Sequence, residues 1–240
     1  MNQAPTPYHT SVRSDLRRAI TNIAVPQNES PGVVRRRRVV VAITLVIGAT
    51  VLGFSLRRAP GESSFYWLTL ALAAAWIVGA LVSGPLHLGG INWRGRNQRP
   101  VITSTIIGLL LGGVFVLGGL IAREIPVVSA LIARVLEFAH HRWFLLVVVI
   151  IVVNAVAEEI FFRGALYTAL GRHQPVAIST ILYVCVTLAS GNPMLGFAAI
   201  ILGTVCALER RASGGVLAPV LTHFVWGLIM VLALPPLFGV

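Results

Sequence analysis

Seven stretches of the chain are almost uninterrupted in apolar side chains: Val39–Leu56, Phe65–Val82, Val101–Ala122, Trp143–Phe162, Pro175–Ala189, Met194–Leu208 and Val216–Val231. A membrane-crossing helix needs about 20 apolar residues, with a range near 17–25. The runs therefore predict spans, and the short fifth and sixth read as a tight pair turned at Ser190-Gly191-Asn192-Pro193. Between the third and fourth runs the pattern changes. Val127, Val128, Leu131, Ile132, Val135 and Leu136 recur at helical spacing, with Ser129, Arg134 and Glu137 on the other face. Val127–Phe138 thus predicts an amphipathic helix on the membrane surface, the alternative being an eighth, short inserted helix.

Residues 1–38 are polar and carry Pro5, Pro7, Asn22, Asn28, Ser30 and Pro31. They read as a flexible tail with room for a short helix around Val12–Ile20. The tail is too long for the charged region of a cleavable signal peptide, and no small-residue cleavage pattern follows the first run. That run is read as a retained anchor. The predicted organisation is a tail at 1–38, three amino-terminal spans at 39–122 and a carboxy-terminal core at 123–240.

Composition agrees with a bilayer as the solvent. Hydrophobic residues make up 56% of the 240 and charged residues 11%, against about 25% charged in soluble domains. The fold class predicted is all-α: a polytopic helical membrane bundle of about seven transmembrane helices plus one amphipathic surface helix. Cys185 and Cys206 both lie inside apolar runs, where cysteine acts as a small hydrophobe.

The net charge of +11 comes from 19 arginines without a lysine. A nucleic-acid partner is not expected, because the arginines flank apolar runs and no soluble basic domain exists to carry one. With a cytoplasmic amino terminus, the inner side holds Arg13, Arg17, Arg18, Arg35–Arg38, Arg94, Arg96, Arg99, Arg163, Arg172, Arg210 and Arg211. The outer side holds Arg57, Arg58, Arg123, Arg134 and Arg142. This asymmetry predicts a multi-pass protein of the plasma membrane with its amino terminus inside. Arg35–Arg38 abuts the first run; anionic headgroups are one reading of it, and a topology signal alone is the preferred one. Gly108 and Gly112 form a GxxxG in the third run, continued by Gly113, Gly118 and Gly119, a pattern suited to close helix packing.

The residues with chemistry start at Glu158 and Glu159, near the end of the fourth run. A charge at a span's centre costs roughly 2.5–3.5 kcal/mol, less towards its end, so both carboxylates need partners or a purpose. Arg163 stands four residues after Glu159 and shares its face. Glu158 points about 100° away, with Asn154 four residues earlier on its own face. Glu159–Arg163 reads as a structural pair, and Glu158 as a carboxylate suited to act as a general base on water. The bland alternative is an interfacial charge cluster, which fits Arg163 better than it fits two glutamates. In the last run, Pro219-Val220-Leu221-Thr222-His223 places a histidine in an apolar helix. Such a residue is usually a packing group and gains weight here from Glu158's need of a partner. His140-His141, before Arg142 and Trp143, and the loop histidines His87 and His173 are weaker candidates.

Glu158-Glu159-x-x-x-Arg163-Gly164, followed by a histidine within Leu217-Ala218-Pro219-Val220-Leu221-Thr222-His223, resembles the CPBP family of CAAX-type intramembrane endopeptidases. The resemblance covers roughly residues 143–234. It implies that Glu158 activates the attacking water, that Glu159 and Arg163 support it, and that His223 binds water or stabilises the oxyanion. It also implies membrane lipids and a peptide or protein substrate as partners. Two positions depart from the family pattern. Tyr183 fits the aromatic position of the second motif, but Thr187 stands where a histidine is expected, and Gly227 replaces the third-motif asparagine. Threonine can hydrogen-bond water but is no base near neutral pH. No cofactor is expected: Glu158 and His223 alone fall short of the three or four ligands of a zinc site. The resemblance implies an intramembrane protease acting near the cytoplasmic face; the alternatives are an inactive membrane scaffold of the same fold and, more distantly, a proton-relay transporter.

Overall fold

The computed structural model describes residues 29–59, 61–93, 96–138 and 144–240. The helix predicted in the tail, Arg94 and the segment His140-His141-Arg142-Trp143 lie outside the described residues. The elements in chain order are α1 (Pro31–Ser55), α2 (Ser63–Ser83), the strands β1 (Ile91–Trp93) and β2 (Arg96–Gln98), α3 (Val101–Ala122) and α4 (Pro126–Leu136). α5 runs through three segments, an α-helical Phe144–Glu159, a π-helical Ile160–Leu166 and a last α-turn Tyr167–Leu170; α6 (Pro175–Leu188), α7 (Pro193–Ser213) and α8 (Leu217–Phe238) complete the bundle. Four helices, α1, α4, α6 and α7, begin with proline, whose missing N–H falls where the helix has no acceptor for it.

Six helices are long and apolar enough to cross a membrane among the described residues: α1, α2, α3, α5, α7 and α8. The chain is a polytopic all-α membrane protein, with six rather than seven helices at full span length. The fifth run forms α6, whose 14 residues rise roughly 21 Å. It still traverses the bundle, for its terminal Ala189 carbonyl approaches Gly53 near the far end of α1. The β1–β2 hairpin, paired antiparallel from Ile91↔Gln98 to Trp93↔Arg96, was not anticipated from the sequence.

Three runs end later than their sequences suggest: the last reaches Phe238 rather than Val231, and two others continue through charged residues. The fourth continues beyond Phe162 to Leu170, placing Glu158 and Glu159 mid-helix. The sixth continues beyond Leu208 to Ser213. In both cases the charged residues that resemble a boundary find partners inside the bundle and stay helical.

α3 lies along α8 through part of the glycine pattern. A Cβ on Gly108 would stand 2.9 Å from the Thr222 carbonyl oxygen, and one on Gly112 would stand 2.4 Å from Ile229 Cδ1. Gly119 is also close-packed, whereas Gly113 and Gly118 face open space. The packing face is therefore Gly108, Gly112 and Gly119. α1 and α2 are joined at Gly48, which lies against the Trp76 indole. Trp76 in turn packs on the Phe161 and Phe162 rings of the π-turn at 4.6 and 5.2 Å.

α4 covers most of the segment predicted as helical, over Pro126–Leu136, and lies at one end of the bundle. Leu136 is buried, Val127 is exposed, and the Leu131 carbonyl accepts from Asn192 Nδ2 at 2.8 Å. At the opposite end, two loops meet backbone to backbone. Gly90 N–H donates to the Ser213 carbonyl, and the His87 and Leu88 carbonyls accept from Val216 and Leu217. These bonds satisfy N–H groups that the start of α8 would leave unpaired.

Candidate active site

The paired glutamates have different surroundings although they are neighbours. Glu159 is completely buried, as is Arg163, and its Oε1 accepts from Arg163 Nη1 at 3.1 Å. The helical spacing predicted this pair. The same oxygen meets His223 Nδ1 at 2.8 Å. An ionised carboxylate only accepts, so His223 donates from Nδ1 and Nε2 is the ring nitrogen left for other partners. Glu158 is half-buried, and its Oε2 accepts from the Tyr183 hydroxyl at 2.8 Å.

Arg163 is held from three sides. Besides Glu159, Nη2 donates to the Gly203 carbonyl at 2.9 Å, and the guanidinium carbon lies 4.7 Å from the Tyr183 ring centroid. Gly203 makes this possible, since a Cβ there would come within 2.9 Å of the Tyr183 ring and 3.3 Å of Arg163 Nη2. The π-turn begins directly after Glu159. Its altered hydrogen-bond ladder accompanies an outward use of the Arg163 carbonyl, which accepts from Arg210 Nε at 2.7 Å. Short π segments inside α-helices are frequent at functional sites.

Tyr183 therefore fills a larger place than its aromatic character suggested: one hydroxyl on Glu158 and one ring face on Arg163. Thr187 is half-buried, and its hydroxyl donates to the Tyr183 carbonyl at 2.8 Å, within its own helix. Gly227 is buried on the His223 helix, and a Cβ there would meet only Ile151 at an ordinary 3.5 Å. Asn154 is turned towards α2 and back along α5, its Nδ2 donating to the Ile150 and Thr69 carbonyls at 2.9 and 3.3 Å. The structure thus brings Glu158 to Tyr183 and Glu159 to Arg163 and His223, while Asn154 and Thr187 bond to backbone.

A further acid, Glu209, was not singled out from the sequence. It is buried on α7, with Oε1 2.9 Å from the Thr222 hydroxyl, whose single proton has the Ser104 carbonyl at 3.0 Å as its other acceptor. Thr222 precedes His223, so this contact ties α3, α7 and α8 together beside the site. The only sequence signal was an acid just past the end of an apolar run.

Among the described residues no three histidine, cysteine or acidic side chains are grouped to hold an ion. His223 also commits Nδ1 to Glu159. Cys185 is exposed and Cys206 buried, both as free thiols.

Among the described residues, a bundle with membrane-length helices brings Glu159, Arg163 and His223 together in its interior, with Glu158 and Tyr183 beside them. Residues 140–229 match the family model described as Rce1-like, type II CAAX prenyl endopeptidase Rce1-like. The matched segment carries Glu158, Glu159, Arg163 and His223, and the family it matches is one of proteases. No curated protein and no solved structure matches the chain.

Proposed function

We propose that the chain is an intramembrane endopeptidase in which Glu158 activates water for attack on a peptide carbonyl. The observation that carries this reading is the unequal accessibility of the two glutamates. Glu159 has no exposed surface and is engaged by Arg163 and His223, whereas Glu158 keeps part of its surface open beside the Tyr183 hydroxyl. A general base must reach the proton it removes; a fully buried acid that takes both Arg163 and His223 on one oxygen serves better to orient its neighbours.

In this mechanism Glu158 takes a proton from water as the water oxygen bonds to the scissile carbonyl carbon. The proton then passes to the leaving nitrogen as the C–N bond breaks. Glu159 fixes the His223 ring through Nδ1, as a carboxylate orients an imidazole in other hydrolases. In its doubly protonated form His223 can donate from Nε2 to the developing oxyanion, an interaction worth a few kcal/mol of barrier. Tyr183 holds the Glu158 carboxylate in place.

The substrate is a peptide or protein in or beside a bilayer. Arg35–Arg38, Arg96, Arg99, Arg172, Arg210 and Arg211 belong to segments at one end of the bundle, where Arg38 reaches Ala169 and Arg37 reaches Pro85. The positive-inside rule makes this the cytoplasmic end in the plasma membrane. His223 is six residues into α8 from that end, roughly 9 Å along the helix, so cleavage falls on the cytoplasmic side.

The test is a cleavage screen in proteoliposomes, using peptide libraries and comparing wild type with Glu158→Gln. Turnover should fall at least roughly 10²-fold in the variant, the usual weight of a general base. A variant cleaving at the wild-type rate would refute the role of Glu158. A wild type without turnover would identify the chain as a membrane scaffold of the same fold.

A further inference from the structure

A groove of about 310 Å³ opens between α1 and the end of α5, away from the glutamates. Val41, Leu166 and Ala169 are buried in its lining, and the half-buried Leu45 adds to its apolar wall. Arg38 and His173, both exposed, are its polar lining residues. Arg38 makes one hydrogen bond among the described residues, from Nε to the Ala169 carbonyl at 3.1 Å. This bond fixes the stem along the groove while the rest of the guanidinium remains at the exposed edge.

The groove combines two environments. Val41 and Leu45 lie within the first apolar run, below the level at which Arg38 leaves it. An occupant needs a hydrocarbon portion along α1 and an anionic portion at Arg38 and His173. The surrounding charge favours an anion further. Arg35 and Arg36 precede the groove, Arg172 adjoins His173, and the nearest acid in sequence to this run, Glu29, is already paired with the buried Arg37. At the other end of the bundle arginine and acid alternate instead, as in the Arg123–Glu124 pair at 2.9 Å. A soluble acidic peptide would match the rim but not the apolar floor.

We propose that this groove is a binding site for one anionic phospholipid, its headgroup phosphate on Arg38 and His173 and an acyl chain along Val41, Leu45 and Leu166. The site stands apart from Glu158, and its occupancy does not depend on the chain being a protease.

Native mass spectrometry of the full chain in detergent, with added phosphatidylglycerol or phosphatidylcholine of identical acyl chains, tests this. Wild type should retain phosphatidylglycerol roughly fivefold more than phosphatidylcholine, the order expected for one cationic side chain near an anionic headgroup. Arg38→Gln should bring the two lipids level. Ala42→Trp, at an exposed position in the groove lining, should lower retention of both by blocking the acyl seat; it also decides the matter if Arg38→Gln proves unfolded. Arg57→Gln, at the other end, should change nothing. Equal retention of both lipids by wild type overturns the proposal. So does a preference that survives Arg38→Gln and Ala42→Trp but disappears in Arg35→Gln, or displacement of the lipid by inorganic phosphate alone.

Discussion

His223 and Glu159 meet at 2.8 Å although 64 positions separate them. The contact ties α8 to α5 at the depth where Arg163 also reaches Glu159. Removing the carboxylate charge leaves a fully buried arginine without its counter-ion, and breaking a buried pair in this way costs about 3–5 kcal/mol. Glu159→Gln should therefore lower the thermal midpoint markedly in detergent. His223→Ala, which leaves Arg163 and Glu159 together, should cost less. Equal midpoints for Glu159→Gln and wild type would show that the ion pair does not hold the bundle.

Tyr183→Phe separates two interactions of one side chain. The ring keeps its contact with Phe162 at 4.9 Å and its place over Arg163, while the hydroxyl on Glu158 is lost. Hydrogen bonds to charged groups are worth about 1.5–3 kcal/mol. If that bond holds Glu158 for catalysis, turnover should fall by roughly 10- to 100-fold, with only a small change in melting temperature. Unchanged turnover would show that Tyr183 merely lines the site.

The spans and the Glu159–Arg163 pair were legible because they depend on local rules, apolar length and i,i+4 geometry. Contacts between distant segments were not. Glu209 and Arg210 resembled the end of a run because their partners, Thr222 and the Arg163 carbonyl, lie on other helices. The π-turn after Glu159 has no periodicity signal of its own. Tyr183 was recognised as an aromatic position, but its hydroxyl on Glu158 follows from how α6 crosses α5. Asn154 shared a predicted face with Glu158, yet the neighbouring α2 backbone offered its amide a carbonyl instead.

The glycines of α3 provide a paired test of packing. An added methyl at Gly108 meets the Thr222 carbonyl and Val225 Cβ at 2.9 Å, whereas at Gly113 it meets nothing within 4 Å. Gly108→Ala should destabilise by about 1–3 kcal/mol, the usual cost of overpacking. Gly113→Ala should stay within about 1 kcal/mol of wild type, since alanine is also the better helix former. Thermal unfolding in one detergent measures both. Similar losses in the two variants would contradict the α3–α8 packing face.

Thr187 occupies the position at which the family resemblance leads one to expect a histidine, so its contribution decides how far the proposed chemistry rests on Glu158 and His223. Its hydroxyl is bonded to the Tyr183 carbonyl at 2.8 Å, as threonines in helices often bond one turn back. That bond satisfies the hydroxyl without involving Glu158. Thr187→Val preserves the shape and removes the hydroxyl. It should leave turnover within about twofold and stability within about 1 kcal/mol, because the carbonyl keeps its place in the helical ladder. A loss of tenfold or more in kcat at unchanged melting temperature would mean that Thr187 turns towards the water during the reaction and partly replaces the missing imidazole.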